Sequence, residues 1–240
     1  MKKKTICQRI RDFFNQKVLL CDLDGTLIET KSGKTFPVDE NDWKFKEWIK
    51  EAIQEYNPRY IFIISNQGGI EKVLVNEEKF REKLSLIMKI IEAWGDFIVD
   101  GTYCKSNDPD DKYRKPNTGM VDYFREDCYR NYDFNPRQAL MIGDASGLAG
   151  QFSDSDARCS HNAGIRYVDV QQFIHAMVPC SVCISAGAPC YAGEDKPMML
   201  PCTFSPRYNL KQAIKANEKT ISHTETNNSI SNNAKYEQNR

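Results

Sequence analysis

Residues 18–30 read VLLCDLDGTLIET. Val18, Leu19, Leu20 and Cys21 form an apolar run too unbroken to alternate between core and solvent, which suits a strand buried on both faces. The run stops at two aspartates, Asp22 and Asp24, one residue apart. In an extended strand residues two apart point the same way, so both carboxylates can aim at one spot beyond the strand's carboxyl end. Gly25 and Thr26 then turn the chain away. Asp-Gly text is also common in plain turns, and taken alone the pair reads equally well as turn and capping aspartates.

Runs of β-branched and aromatic residues recur as KVLLCD (17–22), RYIFIIS (59–65), DFIVDGTYC (96–104), QALMIGD (138–144) and IRYVDV (165–170). Between most of them lie helix-length amphipathic segments, near 42–56, 77–94, 118–131 and 155–163. Strand alternating with helix implies an α/β fold, a Rossmann-like parallel sheet with helices on both faces. Such sheets bind ligands beyond the carboxyl ends of their strands.

The chain has 240 residues, with 33 Lys+Arg against 33 Asp+Glu. That balance excludes a globally basic nucleic-acid or membrane-surface protein, so any nucleic-acid contact must come from a local patch. The opening MKKKTICQRIRDFF is basic but lacks the apolar run of a signal peptide, and no stretch approaches the roughly 18 apolar residues of a membrane span. The expectation is an intracellular protein, nuclear or cytoplasmic, with no membrane partner. Among the nine cysteines, Cys7, Cys21, Cys104, Cys128 and Cys159 are scattered through strand-like and helix-like text, as small hydrophobes in a reducing compartment would be.

The text changes after residue 178. Pro179, Pro189, Pro197, Pro201 and Pro206 crowd an irregular stretch that also holds Cys180, Cys183, Cys190 and Cys202. The CxxC pair fits half of a tetrahedral zinc site, but the second half lacks a matching CxxC, so unpaired thiols are preferred over structural zinc. Residues 216–240 are polar and Asn-rich and cannot offset their ordering entropy. The organisation read from sequence is therefore a main domain over 1–178, a Cys/Pro-rich extension over 179–215 and a disordered tail over 216–240.

The other strand ends decide how the aspartate pair is read. RYIFII ends in Ser65-Asn66-Gln67, a hydroxyl and two amides able to hold a phosphoryl oxygen. QALMIG ends in Asp144, within GDASG. Between them, YRKPNTGM places Lys115 before a proline and a helix. Each is weak alone, as a helix cap, a turn or a solvated lysine, but they fall in order on successive strand ends. The ordered set resembles the haloacid dehalogenase superfamily of phosphotransferases, whose pattern is DxDxT, then Ser or Thr, then Lys, then a Gly-Asp acidic motif. The resemblance implies Asp22 as nucleophile, forming an aspartyl-phosphate, and Asp24 as general acid and then base. It implies Mg²⁺ at Asp22, the Asp24 carbonyl and Asp144, Lys115 beside Asp22, and Ser65 on the phosphoryl oxygens. Asp156, or less readily Asp154, either supports this group or caps the helix at 155–163.

About forty residues separate Asp24 from Ser65 and about fifty separate Ser65 from Lys115. The sheet's own elements use up both intervals apart from a short flap around TKSGKTFP, so a capless, open site is expected. The flap text, ISNQGGI, YRKPNTGM, IGDASG and the region from Asp156 resemble the phosphatase domain of polynucleotide kinase 3′-phosphatase over about Val18 to Phe173. That implies removal of 3′-phosphates from nucleic-acid ends, DNA more than RNA, in strand-break repair. The chain lacks a GxxxxGK[ST] phosphate loop, so no 5′-kinase activity is expected and a stand-alone phosphatase is the reading. Substrate contacts are expected from Thr26, Asn66 and Gln67. Lys31, Lys34, Lys72, Lys105, Arg114 and Lys115 surround the mouth, either as a phosphate-binding patch or as scattered solubilising charges. Two alternatives stay open: a small-molecule phosphatase of the histidinol-phosphate or heptose-bisphosphate type, and a non-catalytic binder of nucleic-acid ends.

Overall fold

Strand β1 (Val18–Cys21) occupies the middle of the sheet and its residues divide between two cores. Leu19 and Cys21 pack with one cluster, Val18 and Leu20 with the other. The protein is represented by a computed structural model that describes residues 17–128 and 136–178. The Cys/Pro-rich segment with Cys180, Cys183, Cys190 and Cys202, and the Asn-rich stretch after it, lie outside the described residues.

After β1 come a small antiparallel hairpin, β2 (Ile28–Glu29) and β3 (Lys44–Phe45), then α1 (Ile49–Tyr56) and β4 (Tyr60–Asn66). The short α2 (Gly68–Glu71) and the long α3 (Glu77–Glu92) lead to β5 (Ile98–Cys104). Helix α4 (Gly119–Asp122) continues as a π-helical turn over Tyr123–Cys128. Then follow β6 (Ala139–Gly143), α5 (Ser155–Asn162), β7 (Arg166–Asp169) and α6 (Val170–Met177). The five long strands run parallel in the order β5-β4-β1-β6-β7.

Both faces are covered, which is why β1, β4 and β6 read as continuous apolar runs. Helices α1, α3 and α6 cover one face with Ile53, Leu84, Ile87 and Phe173 packed on Leu19, Ile61 and Ile142. Helices α4 and α5 cover the other with Met120, Phe124 and Ala157 against Leu20, Phe62 and Met141. Phe62 and Phe124 stack with ring centroids 4.4 Å apart.

Two expectations need correction. The helix expected over 42–56 begins only at Ile49, because residues 44–45 pair with β2. Asp42 instead closes the flap, accepting from the Ser32 backbone N–H and hydroxyl, both at 2.7 Å, and from Val38 N–H at 2.9 Å. Helix α6 was not foreseen. Most of its eight residues VQQFIHAM are buried and its polar edge is only Gln171 and His175, too short to read as a periodic pattern; its visible sign is the cap, where the Asp169 carboxylate accepts from Gln171 N–H at 2.9 Å.

Candidate active site

The sheet order reverses at β1, which has β4 on one side and β6 on the other. The carboxyl ends of these strands therefore open onto a crevice of the kind that binds ligands. Asp22, the first residue beyond β1, remains tied to the sheet through its N–H to Ile142 O at 3.0 Å. Gly25 makes the turn with φ +87°, and a Cβ there would sit 2.2 Å from Asp144 Oδ2. Only glycine lets the turn after β1 lie against the carboxylate at the end of β6.

Lys115 reaches this point from a loop. Its Nζ donates to Asp22 Oδ1 at 2.6 Å and to Ile64 O at 3.0 Å, and pairs with Asp156 Oδ1 at 2.7 Å. It is 3 % exposed, beside Asp22 at 7 % and Asp156 at 1 %. Asn66 holds its backbone at both ends: Lys115 N–H donates to Asn66 Oδ1 at 2.9 Å, and Asn66 Nδ2 donates to Lys115 O at 3.0 Å. The amide expected to meet substrate is thus occupied in placing the lysine. Arg114 is likewise directed inward, donating to Ser106 O at 2.7 Å.

Oxygens of Asp22, Asp144 and Asp156 lie within 4.8 Å of one another. With Lys115 the four groups carry −3 + 1 = −2 when all are ionised. Burial pushes the Asp22 carboxyl up to about 8; Lys115 opposes the shift while Asp156 and Asp144 reinforce it. Burial, followed by Asp156, pushes Asp144 up to about 6. Burial alone would pull the Lys115 ammonium down, but Asp156 and Asp22 outweigh it and hold it above its ordinary value. This donor set of close, hard oxygens with a net negative charge fits a divalent cation. Asp22 and Asp144 are its natural holders, since both Asp156 oxygens are engaged, Oδ1 by Lys115 and Oδ2 by Ala145 N–H at 3.2 Å.

The structure separates two residues that the sequence could not. Asp156 lies inside α5, turned onto Lys115, so its supporting place holds and the capping alternative fails. Gly143 makes room for it, since a Cβ there would meet Asp156 Oδ2 at 2.3 Å. Asp154 stands at the start of α5 without a capping bond, facing Arg158 at the surface.

Asp24 has a different environment, with its side chain 52 % exposed. Gln67 Nε2 donates to Asp24 Oδ2 at 2.6 Å and to the Oγ of buried Ser65 at 2.8 Å. Lys83 from α3 lies 3.9 Å from Asp24 Oδ1. Thr26 is fully buried, and its hydroxyl has no hydrogen-bond partner among the described residues. Lys31 and Lys34 are exposed on the flap, with Lys31 Nζ donating to Asn41 O at 3.0 Å. Lys72 is exposed after α2, and Lys105 pairs with Glu77 at 3.2 Å.

Sequence reasoning missed Lys83 and a buried network that ties the loop after Asp144 to β7. There Ser146 Oγ donates to Asp169 Oδ2 at 2.7 Å and lies 2.6 Å from the Tyr167 hydroxyl, while Gln151 Nε2 donates to Asp169 Oδ2 at 2.8 Å. No local pattern marks these residues, because every bond joins the loop to β7 across about twenty residues of sequence.

A doubly covered parallel sheet, with an aspartate pair, a serine, a buried lysine and an acidic loop at its switch point, defines a phosphatase of the haloacid dehalogenase type. Residues 17–174 match the family described as Polynucleotide kinase 3 phosphatase, and the chain belongs to that family. It is 32 % identical over 171 residues to the bifunctional polynucleotide phosphatase/kinase of Schizosaccharomyces pombe, a match covering 68 % of this chain and 39 % of that one. It is 26 % identical over 203 residues to the polynucleotide 3′-phosphatase of Saccharomyces cerevisiae, covering 64 % of this chain and 85 % of that one. Among solved structures, D,D-heptose 1.7-bisphosphate phosphatase from B. bronchiseptica, complexed with magnesium and phosphate, aligns at a TM-score of 0.48 and 18 % identity, over 63 % of this chain and 78 % of that one. Among the described residues no helix is long and apolar enough to cross a membrane.

Proposed function

We propose that this chain is a magnesium-dependent 3′-phosphatase of nucleic-acid ends, acting on DNA ahead of RNA and working through an aspartyl-phosphate. The observation that carries this reading is the unequal setting of the two aspartates. Asp22 is buried against Lys115, and Asp24 stands at the mouth beside Gln67 and Ser65. Two carboxylates in contrasting environments suit two chemical roles.

Asp22 attacks phosphorus as the P–O3′ bond breaks, and Asp24 gives its proton to the departing O3′. Asp24 then takes a proton from the water that attacks the phosphorus of the aspartyl-phosphate, which frees phosphate and restores Asp22. Lys115 aligns Asp22 through Oδ1 and, with Asp156 behind it, is held charged for the phosphoryl group. Ser65 and the backbone N–H groups after β4 hold phosphoryl oxygens. Bound by Asp22, Asp144 and the Asp24 carbonyl, magnesium would neutralise phosphoryl charge and help orient the ester.

The open mouth supports a polymer end as substrate. Between Asp24 and Ser65 the chain forms the β2-β3 hairpin, α1 and the sheet strand β4 itself, with no inserted domain. The hairpin loop presents Lys31 and Lys34 to solvent together with Phe36, which is 79 % exposed. A small-molecule phosphatase with a Cys/His zinc loop fits less well, since residues 66–115 contain no histidine. Restoring a 3′-hydroxyl gives polymerases and ligases their substrate, a need that arises in strand-break repair.

The test is phosphate release, with Mg²⁺, from a 3′-phosphorylated oligonucleotide, its 5′-phosphorylated twin and histidinol phosphate. Release from the 3′-phosphate, abolished by a chelator, is expected. A clear preference for histidinol phosphate would sink the reading, and a protein that binds the oligonucleotide without turnover would favour an end-binding role.

A further inference from the structure

Resting on that reading, we infer that Gln67 is the positioning residue for the Asp24 proton donor. The sequence suggests a substrate contact for Gln67, but the structure turns its amide onto two groups of the site itself. Nε2 lies 2.6 Å from Asp24 Oδ2 and 2.8 Å from Ser65 Oγ. The NH₂ end of the amide faces Asp24, and its two hydrogens match these two acceptors, which leaves the other Asp24 oxygen to carry the proton of the donor form.

Two consequences follow. Asp24 is an exposed side chain on a turn, and without a partner it would sample several rotamers, few of them aimed at a leaving oxygen. Gln67 is placed to choose among them, because it follows directly on β4 and its N–H donates to Cys104 O at 2.6 Å, which fixes the residue at the sheet edge. Ser65 Oγ, by accepting from Gln67, keeps its own hydrogen free for a phosphoryl oxygen. One amide thus couples the proton donor to the phosphoryl-binding hydroxyl. Lys83, 3.9 Å from the other Asp24 oxygen, is too far for a hydrogen bond and cannot set the rotamer alone.

The reaction step provides the readout. As the Asp22–phosphorus bond forms and the P–O3′ bond breaks, the leaving alkoxide takes the Asp24 proton. If sulfur replaces the bridging 3′ oxygen, the group leaves as a thiolate and needs no proton. Gln67→Leu, and Gln67→Met as a longer and more flexible alternative, would be compared with the unaltered protein on a 3′-phosphorylated oligonucleotide and on its bridging 3′-S-phosphorothiolate twin. Asp24→Asn serves as reference.

The expected result is a fall in kcat/KM of about tenfold or more on the oxygen ester, short of the full 10² to 10⁴ contribution of general acid catalysis, with little change on the sulfur ester. Because both substrates present the same nucleic acid, a binding or folding role for Gln67 lowers both equally. Equal loss, no loss on the oxygen ester, or a sulfur ester that fails to react in the variant overturns the inference. No release from the oxygen ester by the unaltered protein overturns the proposed function itself.

Discussion

Lys115→Met tests how the site is held together. Methionine keeps the length and much of the packing of the lysine stem, so the change removes mainly the charge and its hydrogen bonds. The Lys115 side chain is 2 % exposed, against 2 % for Asp156 and 10 % for Asp22. Its loss takes the cluster from −2 to −3 with all carboxylates ionised, and leaves Ile64 O without its donor. Removing one member of a buried ion pair typically destabilises by about 3–5 kcal/mol, because the remaining charge stays uncompensated. At about 2–4 °C per kcal/mol for a protein of this size, the thermal midpoint should drop by roughly 6–20 °C.

The measurement is thermal and urea unfolding with a chelator present, at pH 7.5 and pH 5. The loss should be smaller at pH 5, where the carboxylates left behind can take up protons. A midpoint unchanged at pH 7.5 would refute the reasoning, since a lysine that can be removed freely is not offsetting the charge of a buried acidic cluster. Adding Mg²⁺ should restore part of the lost stability.

Asp22→Asn should abolish phosphate release while the fold survives, read by steady-state kinetics beside circular dichroism; substantial turnover would rule out Asp22 as nucleophile. The metal-free protein should lose stability as pH rises. Asp22 and Asp144 have folded values of about 8 and about 6, above about 3.9 unfolded, so the folded state binds more protons between these values. Their contribution is complete below about 4 and is lost as pH passes about 6 and then about 8, and unfolding midpoints across that range should decline and flatten once Mg²⁺ is added. Gly25→Ala should cost about 1–3 kcal/mol from its left-handed backbone and displace Asp144, weakening Mg²⁺ binding in calorimetry; an unchanged affinity would contradict the contact. Charge reversal at Lys31 and Lys34 should slow the oligonucleotide reaction and weaken its salt dependence while sparing a small phosphate ester, and equal loss on both would assign the flap to the fold.

The sequence by itself determined the parallel sheet and most of the chemistry at its edge. Four buried strands are local runs of apolar residues, and a run needs no partner to be recognised. The aspartate pair, Ser65 and Asp144 stand at fixed offsets from those runs, so the order of strands carried the order of site residues with it. What the tertiary structure decided is everything that depends on a second segment. Asp156 reads equally well as a cap or a support until α5 is laid beside Lys115. Gln67 and Asn66 read as substrate amides until β4 is placed against the turn after β1 and the Lys115 loop. Helix α6 has only eight residues and its polar edge is only Gln171 and His175, too short a pattern to separate it in sequence from a continuation of β7. Spacing along the chain specifies which residues reach an edge, but hydrogen-bond partners come from segments forty to ninety residues apart, and their pairing exists only once the sheet has brought those segments together.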